Sequence, residues 1–140
     1  VLFQMTYPGV PMILYGDELG LTGGDDPDSR RCMPWNSNVS DYNLLDFYKK
    51  LITLRKENEV LQKGSYQSFR IDEAKNIYSF KRILNSKKVI VIINNNPEKR
   101  IFKFKSDKKQ YKALLSNKHI ERNGKEFSIT LDKYQGVILQ

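Results

Sequence analysis

The stretch that decides the fold is IYSFKRILNSKKVIVIINN, Ile77 to Asn95. In its first half Tyr78 and Phe80 alternate with Ser79 and Lys81, the period-2 pattern of a strand with one buried face. In its second half Val89 to Ile93 is apolar throughout, as a central strand would be. Asn94-Asn95-Asn96-Pro97 then ends it with residues that favour turns. The same alternation returns downstream. Phe102 and Phe104 alternate with Lys103 and Lys105, and Phe127, Ile129 and Leu131 alternate with Ser128 and Thr130. Asn123-Gly124 is a hairpin turn signal, and Val137-Ile138-Leu139 supplies a last strand. Short strands with a turn every ten residues or so predict an antiparallel β-sandwich over residues 59–140.

Working upstream, the period changes. Leu44, Phe47, Tyr48, Leu51 and Ile52 recur at i, i+3, i+4, i+7, with Leu54 or Arg55 extending the face, while Asp46, Lys49, Lys50, Thr53 and Lys56 point away. This predicts a helix over about 42–57, with Ser40-Asp41 as N-caps and Arg55 and Lys56 in the last turn, where cations suit the helix dipole. Before it, residues 16–39 read as loop: five Asp/Glu by Asp28, four glycines, and prolines at 27 and 34. Before the loop, Met12-Ile13-Leu14-Tyr15 is a short apolar run bounded by Gly9, Pro11 and Gly16. It predicts a strand buried on both faces, as in a parallel sheet. One buried strand and one helix cannot make a core, so residues 1–58 are expected to need partners upstream.

Bulk properties narrow the function. Of 140 residues, 39% are hydrophobic and 29% charged, which suits a packed core. No apolar run approaches the roughly 18 residues of a membrane helix. Cys32 is the only cysteine, so neither an intrachain disulfide nor a cysteine metal site can form, and a cytoplasmic, reducing compartment is expected. Net charge is +8 but uneven: residues 1–58 carry six Lys/Arg against eight Asp/Glu, and residues 59–140 carry eighteen against eight. The lysines of the second part alternate with core positions, as on a solvated face, and no basic aromatic stripe offers to stack bases. Nucleic-acid binding is therefore a minor alternative, beside a stand-alone carbohydrate-binding sandwich.

Among candidate chemical groups, Asp17-Glu18 is the obvious carboxylate pair. Neighbours on an extended chain point to opposite faces, so the two cannot flank one glycosidic bond. The Asp25-Asp26-Pro27-Asp28 cluster lacks the ligand spacing and closing glutamate of a calcium loop, so no metal is expected. Asp26 with Arg30 or Arg31 offers an acceptor beside a planar donor fork, a combination that reads pairs of sugar hydroxyls; the competing reading is a surface ion pair that pins the loop. Trp35 is either a sugar-stacking platform or, more commonly for a lone tryptophan near proline, a loop anchor. Cys32 is expected to be a small buried residue and His119 a surface one.

These residues also carry a resemblance. PGVPMILYGDELG (8–20) resembles the eighth-strand motif of the alpha-amylase superfamily, glycoside hydrolase family 13. GGDDPDSRRCMPWN (23–36) is similar to the loop that follows in cyclomaltodextrinases, neopullulanases and maltogenic amylases. LLDFYKKLITLRKEN (44–58) is similar to the helix that closes their barrel. IYSFKR, KVIVIINN, ALLSN and YQGVIL resemble their all-β C-terminal domain.

The resemblance implies a mainly β chain: the last strand, loop and helix of a (β/α)₈ barrel (1–58), then a C-terminal antiparallel β-sandwich (59–140). It implies retaining cleavage of α-glucosidic bonds, with no cofactor. The family's catalytic carboxylates come from strands four, five and seven, so none maps here. Asp26 and Arg30 match an Asp and an Arg four residues later that contact glucose units. Glu18 matches a strand-end glutamate in a supporting role. Ser29 departs from the pattern, standing where relatives often carry cysteine. The implied partners are an α-glucan oligosaccharide and the missing N-terminal part of the barrel. Without that part, residues 1–40 are expected to be disordered, repacked on the sandwich, or paired between chains.

Overall fold

In the computed structural model, which describes residues 1–35 and 42–140, the two halves of the opening stretch form a hairpin. β2 (Ile77–Leu84) and β3 (Lys87–Asn94) pair antiparallel from Ile77 opposite Asn94 to Leu84 opposite Lys87. Asn85 takes the left-handed conformation the two-residue turn demands, with φ 55°. β1 (Ser65–Asp72) flanks β2, and β7 (Gly136–Leu139) flanks β3, in the order β1-β2-β3-β7. β3 is thus central, as its unbroken apolar run requires. A second sheet holds β4 (Arg100–Lys105), β5 (Ile120–Asn123) and β6 (Glu126–Leu131) in the order β4-β6-β5. Asn123 pairs with Glu126 across the hairpin, and Gly124 supplies φ 61° there.

Alternation along the strands creates two cores. Ile77, Ile90, Ile92, Val137 and Leu139 face the second sheet and meet Phe102, Phe104, Phe127, Ile129 and Leu131. Phe80, Val89, Val91 and Ile138 face the other way, into a helical layer. That layer is α1 (Leu2–Thr6), α2 (Tyr42–Glu57) and α3 (Glu59–Lys63), which contribute Met5, Tyr48, Leu51, Val60 and Leu61. The first sheet is therefore covered on both faces. Each large apolar side chain so buried contributes about 2 kcal/mol.

The predicted helix over 42–57 is α2, Tyr42–Glu57; its proposed caps Ser40 and Asp41 lie outside the described residues. The strands of the second part begin at Ser65, after the short helix α3, whose Val60 N–H donates to Asn58 Oδ1 at 3.1 Å.

The run Met12–Tyr15 corrects an expectation. It forms no strand, and Met12, Leu14 and Tyr15 are 77%, 57% and 52% exposed rather than buried on both faces. A parallel strand needs neighbours at its edges and cover on each face; the described residues offer no edge, and cover the run only through Ile13, which packs on the helical layer. Phe47, placed on the apolar face of α2 by its spacing, is exposed for the same reason, while Tyr48 and Leu51 bury against the sheet. Of the fates expected for residues 1–40, packing on the sandwich describes α1: Met5 is 1% exposed, and Phe3 and Tyr7 lie edge-on to Phe80. No helix among the described residues is long and apolar enough to cross a membrane.

Candidate substrate-binding loop

The site is built outward from a tight turn. Gly16, at φ 93°, opens a 3-10 turn over Asp17–Leu19. That φ favours glycine, and a Cβ there would also push the Leu21 side chain aside. Both carboxylates of the Asp-Glu pair serve this turn. Leu14 N–H donates to Asp17 Oδ2 at 3.2 Å, and Gly16 N–H donates to Glu18 Oε2 at 3.0 Å. Leu19 is buried, and the turn lies near Tyr48, whose hydroxyl pKa is raised by burial and then by the negative fields of Asp17 and Glu18. Glu18 is half-buried and holds backbone rather than projecting into open space.

Beyond the turn, residues 22–32 are exposed, and two interleaved ion pairs hold them. Asp28 N–H donates to Asp25 O at 2.9 Å, and Arg30 N–H to Pro27 O at 2.9 Å. This winding brings Asp26 and Arg30 onto one side. The Arg30 guanidinium grips both oxygens of Asp26, Nη2 to Oδ2 at 2.6 Å and Nε to Oδ1 at 2.6 Å. Arg31 grips Asp28 likewise, Nη2 to Oδ2 at 2.7 Å, and Gly24 N–H donates to the same oxygen at 2.8 Å.

The Asp26–Arg30 side chains are 57% and 74% exposed. An ion pair this wet contributes about 0–1 kcal/mol, so an incoming hydroxyl can open it at little cost. The fork leaves Arg30 Nη1 uncommitted, with the Asp26 acceptors alongside it. Donor and acceptor side by side suit a pair of neighbouring sugar hydroxyls.

The Asp28 carboxyl titrates below its ordinary value of 3.8, because Arg31 and the Gly24 N–H both favour the anion. A lowered folded-state value means the turn's stabilisation is present above that ordinary pH and is lost as pH falls through the lower value. The Gly24 amide resonance is therefore expected to hold its position through pH 3.8 and to move only at more acid pH. A midpoint at or above the ordinary carboxylate value would contradict this geometry.

Two sequence expectations fail here. Trp35 is 87% exposed, so of its two readings the loop anchor fails among the described residues. Cys32, expected buried, is exposed in the same segment, while His119 lies on the surface as expected. No group of three or more metal-binding side chains occurs among the described residues.

Sequence reasoning missed Arg82 and read Arg55 only as a helix-face, last-turn cation, not as a clamp on distant backbone. Arg82 lies 1% exposed beneath α1, and Arg55 is half-buried at the end of α2; both donate only to backbone carbonyls. The signal was available for Arg82. It shares the parity of Tyr78 and Phe80, so the alternation put a charge at a core position.

Comparison with known proteins places this geometry in a lineage. No protein-family model matches the chain. Neopullulanase 2 of Thermoactinomyces vulgaris is 39% identical over 142 residues, covering 99% of this chain and 24% of that protein. Cyclomaltodextrinase of Thermoanaerobacter pseudethanolicus is 37% identical, covering 89% of this chain and 21% of that protein. The chain thus spans about a quarter of the length of the curated relatives it matches. Among solved structures, a debranching enzyme from Nostoc punctiforme superposes with a TM-score of 0.83 at 31% identity, over 99% of this chain and 29% of that one. Sequence and structure agree that the chain belongs to the alpha-amylase superfamily, glycoside hydrolase family 13.

Proposed function

We propose that this chain is the C-terminal part of a retaining α-glucan hydrolase that cleaves maltodextrins, cyclomaltodextrins or pullulan. Its contribution is a substrate-binding loop and a stabilising sandwich; the catalytic carboxylates belong to the barrel strands that precede it. The observation that carries this reading is the Asp26–Arg30 fork, rigid in geometry yet weakly held and open to solvent, on a segment related to neopullulanase and cyclomaltodextrinase. Asp26 and Arg30 bind glucose units, and Glu18 supports the loop from its root. Val10, Met12, Leu14, Tyr15 and Phe47 form the face that the N-terminal barrel segments cover in the full protein; without them the face favours self-association. The lone cysteine suits a cytoplasmic setting.

A graft tests the loop. These 140 residues would replace the matching segment of the Thermoactinomyces vulgaris neopullulanase 2. In that graft, Asp26→Ala and Arg30→Ala are each expected to raise KM for maltotriose about tenfold, the effect of leaving a polar partner unmatched. KM within twofold of the unsubstituted graft for both variants would remove Asp26 and Arg30 from the site.

A further inference from the structure

Arg55 and Arg82 meet at a place where three helices end. Arg82 Nη1 donates to Thr6 O at 2.6 Å, at the end of α1, and its Nη2 donates to Gly64 O at 2.7 Å, just past α3. Arg55, in the last turn of α2, donates through Nη1 to Met5 O at 2.7 Å and Tyr7 O at 3.2 Å. Its Nη2 reaches Gly9 O at 2.6 Å. Gln62 Nε2 completes the cluster by donating to Arg55 O and Lys56 O, at 2.9 and 2.7 Å. Helix ends leave carbonyls without partners and carry partial negative charge, which is what a cation between them satisfies.

No carboxylate among the described residues pairs with either guanidinium, yet both are drawn from water. Burial lowers the pKa of each, and the charge of Arg55 adds to the effect on Arg82. Placing two like charges side by side at such cost implies that what they hold matters.

What they hold is the root of the candidate site. Between Gly9 and Trp35 the described chain is an excursion from the sandwich that touches the helical layer through Ile13 and buries Leu19. Within the described part of it, Val10 to Tyr15 has no sheet partner, and residues 22–32 are exposed. Arg55 stands on the returning helix and grips the departing chain at Gly9, so it ties the base of the excursion together. Arg82 pins that base to the sheet through Thr6.

We propose that Arg55 and Arg82 are positioning residues for the Asp26–Arg30 loop, aiming it by clamping the backbone carbonyls of residues 5 to 9. This rests on the glucan-binding reading above for its functional meaning, though not for its mechanics. A lysine cannot substitute, because one ammonium cannot span Met5 O and Gly9 O as the planar fork does.

Cys32, the only cysteine, is exposed two residues beyond Arg30, so it accepts a nitroxide label without further change to the loop. A second label through Ile101→Cys, at a position 54% exposed on β4, reports on the sandwich. Pulsed dipolar spectroscopy then measures the distance between loop and sandwich.

The clamped chain is expected to give one narrow distribution. Arg55→Gln and Arg55→Lys are each expected to widen it about twofold, since an untied excursion samples more space. Arg82→Met is expected to do the same where it folds; if it does not, the half-buried Arg55 variants carry the test. Unchanged widths in both Arg55 variants would overturn the proposal.

In the neopullulanase graft, the Arg55 variants are expected to raise KM for maltotriose about threefold with kcat held, as lost orientation in binding requires. An equal fall in kcat with KM unchanged would assign Arg55 to general stability instead. A graft without activity would count against the glucan reading alone, because the distance measurement does not depend on it.

Discussion

Phe80→Ala is expected to destabilise the chain by about 4 kcal/mol and to lower Tm by about 15 °C. Phe80 is wholly buried in the sheet face beneath α1, and four rings converge on it. Phe3, Tyr7, Tyr66 and Tyr78 have centroids 5.9, 6.1, 5.5 and 5.8 Å away. Truncation removes the transfer free energy of the ring and leaves a cavity between sheet and helix. The cavity cannot close easily. Its floor is a strand paired on both edges, and its roof is held by the Arg82–Thr6 hydrogen bond, 2.6 Å long. Tyr66 and Tyr78 share a hydroxyl hydrogen bond of 2.5 Å, and the Tyr78 hydroxyl is pushed up to about 12 by it. Urea unfolding measures the effect; a loss below about 1 kcal/mol would mean that α1 does not pack on the sandwich as described.

The distribution of what could be read from sequence has physical causes. β2, β3, β4, β6 and β7 were legible because each has a buried face or two, and burial writes a period into the residues. α2 was legible because sixteen residues allow more than four turns of that pattern. β1 went unread: it lies at the sheet edge with mostly exposed residues, and its register slips between Ser68 and Arg70, which breaks the alternation. β5 is an exposed edge of four residues, and α3 is too short to show a period.

Met12–Tyr15 shows the opposite failure. Its apolar run states a need for partners, and a sequence can state that need where the chain at hand does not meet it. At the site, the four-residue spacing of Asp26 and Arg30 was enough to bring them together. The role of Arg55 was not legible, because its partners are backbone carbonyls some fifty residues away, and carbonyls carry no sequence identity.

The central claim is that this chain completes a glucan hydrolase without containing its catalytic pair. Retaining hydrolysis needs two carboxyl groups about 5 Å apart, aimed at one glycosidic bond. Among the described residues of the first part, Asp17 and Glu18 accept N–H groups of their own turn, and Asp26 and Asp28 are gripped by arginines. Asp17 and Glu18 are thus spent on their own turn, and Asp26 and Asp28 each face an arginine rather than a second carboxyl group. A catalytic pair supplies at least about 10⁶-fold in rate, so having or lacking one is read as an all-or-none difference. The decisive measurement is release of glucose or maltose from maltotriose by the isolated 140-residue chain and by its graft in the neopullulanase 2 of Thermoactinomyces vulgaris. The account predicts turnover by the graft and none by the chain alone. Sugar release by the isolated chain, or a folded graft that turns nothing over, would contradict it.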